Sequence, residues 1–211
     1  MKRWIRSLVT LSAAVAIAWA ADGPRVIYTK SFPGSVPAYV SISVERSGAV
    51  GYKESPDDDP DQFQLEDSET ATIFDLAQKL DHFSHPLESG LKIANMGMKT
   101  FRWEEGDVHH EAKFNYSLDE SAKALHDLFE KITDTERMLA ELKRSVRHDK
   151  LGVNEAIVNI QTAYQQKRLM GAQQFLPMLD QVAKNDTYIH MARERAAQLV
   201  DAIQAAKPKG Q

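Results

Sequence analysis

Residues 99–116 read KTFRWEEGDVHHEAKFNY and residues 117–148 read SLDESAKALHDLFEKITDTERMLAELKRSVRH; the spacing of apolar residues changes at the join. In the first piece Phe101 and Trp103 alternate with polar neighbours, Glu105-Gly106-Asp107 interrupts, and Ala112, Phe114 and Tyr116 alternate again. Successive strand side chains face opposite sides, so this piece predicts a β-hairpin with one buried face. In the second piece Leu118, Ala122, Leu125, Phe129, Ile132, Leu139, Leu142 and Val146 recur every three or four residues, which is one stripe of a helix. Ser117 and Glu120 stand at the spacing of a capping box. Unbroken to residue 148, this helix spans roughly 45 Å; Thr133-Asp134-Thr135 is the alternative point of division.

Both patterns extend outward. Upstream, Val26, Tyr28 and Lys30 begin an extended segment that stops at Ser31-Phe32-Pro33-Gly34. Tyr39, Ile42 and Val44 form a second strand, Ser47-Gly48 turns the chain, and Ala49–Lys53 returns. Between the hairpins lies one helix, capped by Asp67 or Ser68, with Ile73, Leu76, Ala77, Leu80 and Phe83 on its apolar side. Pro86 and Gly90 mark its exit. Downstream, Gly152 opens a helix bearing Val153, Ile157, Ile160 and Tyr164, which Gly171 ends. Ala172–Ala183 forms another, with Pro177 tolerated in its first turn. Asn185-Asp186 caps the last, whose stripe is Ile189, Ala192, Ala196, Leu199 and Ile203. The expected fold is α+β: a small antiparallel sheet with one packed helix over residues 21–116, then an antiparallel all-helical region over 117–206, and a disordered tail at 207–211.

The first twenty residues carry a different signal. Lys2, Arg3 and Arg6 precede the apolar run Leu8–Trp19, and Ala18-Trp19-Ala20 puts small residues at −3 and −1 of a cut before Ala21. These are the parts of a secretory signal peptide, and the apolar run is shorter than the ~20 residues of a membrane span. The chain of 211 residues contains no cysteine. It therefore has neither disulfides nor a lipid-bearing N-terminal cysteine, and export without disulfides suits a bacterial periplasm. Residues 21–116 hold 9 basic and 17 acidic side chains, residues 117–211 hold 14 and 13. That balance argues against nucleic acid, whose phosphates demand a basic face. No G-x-S-x-G elbow, P-loop or G-x-G-x-x-G is present.

Pro37-Ala38-Tyr39 leading into a strand, followed by the Gly48 hairpin, resembles a family of secreted bacterial domains of no assigned activity, over about residues 25–115. Ser35 and Val36 stand where members of that family often carry cysteines. The resemblance implies a small sheet with a helix on it and brings no catalytic residue. Phe175-Leu176-Pro177-Met178-Leu179, with Asn185-Asp186 and Arg195-Ala196-Ala197, resembles one HEAT-type helical repeat. A solenoid needs about three such units, so one copy points to a plain helical hairpin.

Four constellations could carry chemistry. From Glu54 to Glu69 there are eight acids and no base, and Asp57, Asp59 and Asp61 have the alternating spacing of the first calcium ligands of an EF-hand. Gln62 and Ser68 then occupy the positions where that loop needs Gly and Glu, so a solvated loop competes with a cation site. His82 and His85 with His109 or His110 would give zinc three ligands and an open position. Lys143, Arg144, Arg147 and Lys150 complement the dipole at the end of the long helix, or contact anionic headgroups or the acidic 54–69 loop. Paired Glu104-Glu105 lies at a hairpin tip. No cofactor is implied. The expected function is that of a non-catalytic periplasmic binding or protein-interaction module with a protein or envelope partner. The alternatives are a metal-assisted hydrolase using the histidines and a secreted divalent-cation binder using the acidic loop.

Overall fold

Six strands form one antiparallel sheet in a computed structural model that describes residues 23–206. The segment expected to be a signal peptide, residues 1–20, and the tail expected to be disordered, residues 207–211, lie outside the described residues. The strands are β1 (Arg25–Ser31), β2 (Tyr39–Glu45), β3 (Ala49–Lys53), β4 (Asp61–Gln64), β5 (Met98–Glu105) and β6 (Val108–Phe114), in the order β4-β3-β2-β1-β5-β6. The helices are α1 (Asp67–Lys79), α2 (Glu120–His148), α3 (Gly152–Gln165), α4 (Leu176–Ala183) and α5 (His190–Ala206). The class is α+β, with the two hairpins joined through the central strand β1.

Alternation along the strands produces a single apolar face. Val26 and Tyr28 of β1, Ile42 and Val44 of β2, Val50 and Tyr52 of β3, Phe101 and Trp103 of β5, and Phe114 of β6 are all buried on it. Ile73, Phe74 and Ala77 of α1 and Leu125, Phe129 and Ile132 of α2 complete this core. Tyr28 and Phe129 stack with ring centres 4.8 Å apart. The opposite face presents Thr29, Ser41, Ser43, Thr100 and Arg102, all partly exposed. A second core gathers Leu139 and Leu142 of α2 with Ile157, Ile160, Leu179 and Leu199 of the later helices. Packing thus passes from one core to the other inside α2, between Ile132 and Leu139.

α2 is one unbroken helix of 29 residues. Thr133 and Thr135 do not divide it, because each hydroxyl folds back onto a carbonyl one turn earlier, Phe129 O at 3.0 Å and Lys131 O at 2.8 Å. The Thr135 hydroxyl also accepts the Met170 N–H at 3.1 Å, which ties the α3–α4 connection to the seam between the cores.

Several local expectations are corrected. The acidic segment is not wholly loop: Asp61–Gln64 pairs with β3, Val50 opposite Phe63. Its residues escape the strand pattern because Asp is a poor strand former and Phe63 is the one strand-favouring residue among the four. The cap of α1 is Glu66, whose N–H donates to Glu69 Oε2 at 3.0 Å, not Asp67 or Ser68. The cap of α2 is Asp119, whose carboxylate accepts from Ser121 N and Ala122 N at 2.7 and 2.9 Å. Ser117 instead accepts from Asp119 N, one step before the helix. Gly171 does not end α3, which stops at Gln165; with φ +67° it opens the 3₁₀ turn Ala172–Phe175 that precedes α4. α5 begins at His190, because Asn185 Oδ1 caps Thr187 N in a turn of its own. α4 and α5 form one helical hairpin.

Candidate functional site

Among the described residues the four histidines do not meet in a group of three metal-binding side chains. Asp81, His82 and Phe83 form a left-handed turn with φ of +50°, +50° and +64°. Such a backbone costs about 1–2 kcal/mol per non-glycine residue. Packing holds it: Phe83 is buried 5.2 Å from the Phe101 ring, and the His82 ring lies 4.2 Å from that of Trp103. His85 is exposed beyond the turn. His110 stands opposite Trp103 in the β5–β6 ladder, while His109, opposite Glu104, faces the other way. Among the described residues no three His, Asp or Glu side chains are grouped to hold a metal ion.

The acidic segment does gain a role in the tertiary structure. A cavity of about 250 Å³ is lined by Tyr52, Asp58, Asp59 and Asp61 on one wall and by Glu136 and Lys143 of α2 on the other. Asp57 does not line it. Asp61 sits in strand β4 opposite Tyr52, so the chain there is extended and cannot wrap around an ion as an EF-hand loop does. A wider cavity of about 690 Å³ adjoins it, sharing Glu54 and Ala140; Val36, Asp134, Arg137, Met138, Glu141 and Arg144 complete its walls. The two form one groove along the middle of α2, where the sheet meets the helical region. Sites at such junctions are common because neither unit fills the space alone.

Seven carboxylates line the groove, Glu54, Asp58, Asp59, Asp61, Asp134, Glu136 and Glu141, against four cations, Lys53, Arg137, Lys143 and Arg144. Two carboxylates are spent on cations: Asp134 on Arg168 at 3.0 Å and Glu141 on Arg144. Glu54 accepts from the Tyr52 hydroxyl at 2.7 Å. Burial, then the Glu54 carboxylate, pushes the Tyr52 phenol well above its ordinary range. Glu136 is buried, and its Oε1 accepts from Gln174 Nε2 at 2.6 Å. Burial raises the Glu136 carboxyl above its usual value, and the charges of Asp61 and Glu54 add to this while Lys143 opposes it. The groove is therefore a region of negative potential in which a cation is favoured.

The basic cluster divides. Lys143 and Arg144 line the groove; Arg147 and Lys150 lie beyond it at the end of α2. Glu136, Arg137 and the wall at Val36 escape sequence reading, because nothing local distinguishes them from the solvated face of an amphipathic helix or loop. Comparison with known protein families and with curated proteins finds no match for this chain.

Proposed function

We propose that this protein is an exported, non-catalytic binding module whose groove receives a cationic segment of a partner protein. The observation that carries the reading is the excess of carboxylates along one open groove where the two cores meet. The basic start, short apolar run and small-residue site of residues 1–20 support export, and a cysteine-free chain fits a periplasm. Among the described residues no helix is long and apolar enough to cross a membrane. The groove is open and elongated rather than a closed ion cage, which favours a peptide segment over a single divalent cation.

The test is fluorescence anisotropy with a labelled Lys/Arg-rich peptide, compared with an acidic peptide of equal length, across a range of salt. Binding of the basic peptide should weaken as salt rises, since exposed charges are screened within about 8–10 Å. Replacing Asp58, Asp59 and Asp61 together by Asn should weaken it about tenfold or more. Equal binding of both peptides, or indifference to the triple replacement, would remove the reading. Competition by millimolar Ca²⁺ alone would turn it toward a cation binder.

A further inference from the structure

A second, smaller cleft lies at the other end of α2, where its first turns meet the start of β5 and the end of β6. It encloses about 120 Å³ and its apolar walls are Met96, Phe114, Tyr116 and Ala122. Lys99 and His126 supply its polar edge. An apolar cavity of about 150 Å³ takes up benzene, so this somewhat smaller, open cleft seats no more than a single ring. The irregular segment from Ser84 to Gly97 forms one lip, and its Leu91, Ile93 and Met96 are exposed. Long connections without regular structure are usually either functional or linker segments.

The polar groups of this cleft are almost all committed. The Lys99 ammonium donates to three carbonyls, Met96 O at 3.2 Å, Gly97 O at 3.1 Å and Asn115 O at 2.8 Å. Its three donors are then exhausted. Asn115 uses both ends of its amide, accepting from Met96 N at 2.7 Å and donating to Ala94 O at 3.0 Å. Lys123 is held by Glu120 at 2.8 Å, and Ser117 Oγ accepts from Asp119 N. His126 differs. Its Nδ1 is 3.1 Å from the Tyr28 hydroxyl, which lies 3.1 Å from Glu130 Oε1. Lys30 donates to both Glu130 oxygens at 3.0 and 2.8 Å. Burial works against the Glu130 charge, yet the Lys30 ammonium and the Tyr28 hydroxyl hold its carboxyl below the ordinary value, so it can only accept. The single Tyr28 proton must therefore go to Glu130. The Tyr28 oxygen is left to accept from Nδ1–H of a neutral imidazole. Nε2 then carries the lone pair, and it has no partner among the described residues.

We infer that this cleft is a ligand site for one apolar ring bearing a hydrogen-bond donor, with His126 Nε2 as the acceptor that selects it. The side chain of an exposed tyrosine on a partner protein has this chemistry, and so does a free small phenol. His126 is a specificity-determining residue here, and Tyr28 and Glu130 are positioning residues that set its tautomer. Burial favours the neutral imidazole, and Lys99 and Lys30 reinforce it while Glu130 opposes, which keeps the lone pair available at neutral pH.

The probes are p-cresol, which is the tyrosine side chain as a free molecule, and toluene, the same ring without the donor. In ¹⁵N-detected NMR of the purified protein at pH 7, His126 Nδ1 should resonate as protonated and Nε2 as unprotonated. Adding p-cresol should shift Nε2 and the Ala122 methyl, with toluene binding about tenfold more weakly. His126→Phe keeps the ring shape and should make the two probes equal. Glu130→Gln should blur the tautomer preference while leaving the cleft walls in place. A phenol reading for a partner's tyrosine gains support if a tyrosine-bearing peptide competes with p-cresol; a small-molecule site is indicated if it does not. A protonated Nε2 in the free protein, equal responses to both probes, or no response to either would overturn the inference.

Discussion

At the scale of single residues, buried charge and unusual backbone set what can be measured. Glu136 has a raised carboxyl pKa, so the native state holds its proton more readily than the unfolded chain. Stability linked to this group is then lost as pH rises from the unfolded value through the folded one. Glu136→Gln, which keeps an acceptor for Gln174, should raise the urea midpoint at pH 7, and the advantage should vanish near pH 4. His126 works in the opposite sense. Its folded pKa is depressed to about 4 from 6.5, by burial first and then by Lys99 and Lys30. Unfolded chains gain the proton first as pH falls, so stability linked to His126 should decline from pH 6.5 toward 4, and His126→Phe should flatten that part of the curve. The left-handed turn gives a third test. Asp81 lies at φ +50°, where a β-branched side chain clashes and glycine does not. Asp81→Val should lower stability by about 1–2 kcal/mol in urea denaturation, and Asp81→Gly should not. None of these three roles is written locally. Glu136 and His126 read as ordinary polar positions of a helix, and His82 reads as a helix-end residue until Trp103 is placed under it.

At the scale of elements, α2 holds the molecule together. Its stripe was legible at helical spacing from Leu118 to Val146, and its continuity was not, because Thr and Asp side chains bond the local backbone both at helix ends and, by folding back onto a carbonyl one turn earlier, inside helices. Thr135 is the residue to test. Its hydroxyl serves Lys131 O and the buried Met170 N–H together. Thr135→Val keeps the shape and strands that N–H, which should cost about 1–3 kcal/mol and show as early amide exchange at Met170. The strands were legible where β-branched and aromatic residues alternate. β4 was not, since Asp61-Gln62-Phe63-Gln64 has no such composition and becomes a strand only by pairing with β3 at the sheet's edge.

At the scale of the whole molecule, the two cores share one helix, so neither is complete without it. A fragment of residues 23–116 would expose Tyr28, Phe101 and the rest of the apolar sheet face that Leu125, Phe129 and Ile132 cover. It should show no cooperative thermal unfolding, whereas a fragment extended through α2 should regain dispersed amide resonances. The amino-acid sequence by itself determined the α+β class, the hairpins at Gly48 and Gly106, and the apolar stripes of the helices. Those features depend on neighbours two to four positions apart, which a local reading contains. Tertiary structure alone decided that β1 is central, that α2 serves both cores, that the acidic segment forms one wall of a groove against Glu136 and Lys143, and that His126 Nδ1 meets the Tyr28 hydroxyl. The contacts responsible join residues far apart in the chain, such as Tyr28 with Glu130, and the free energy that selects them is the burial of one continuous face, which no local window records.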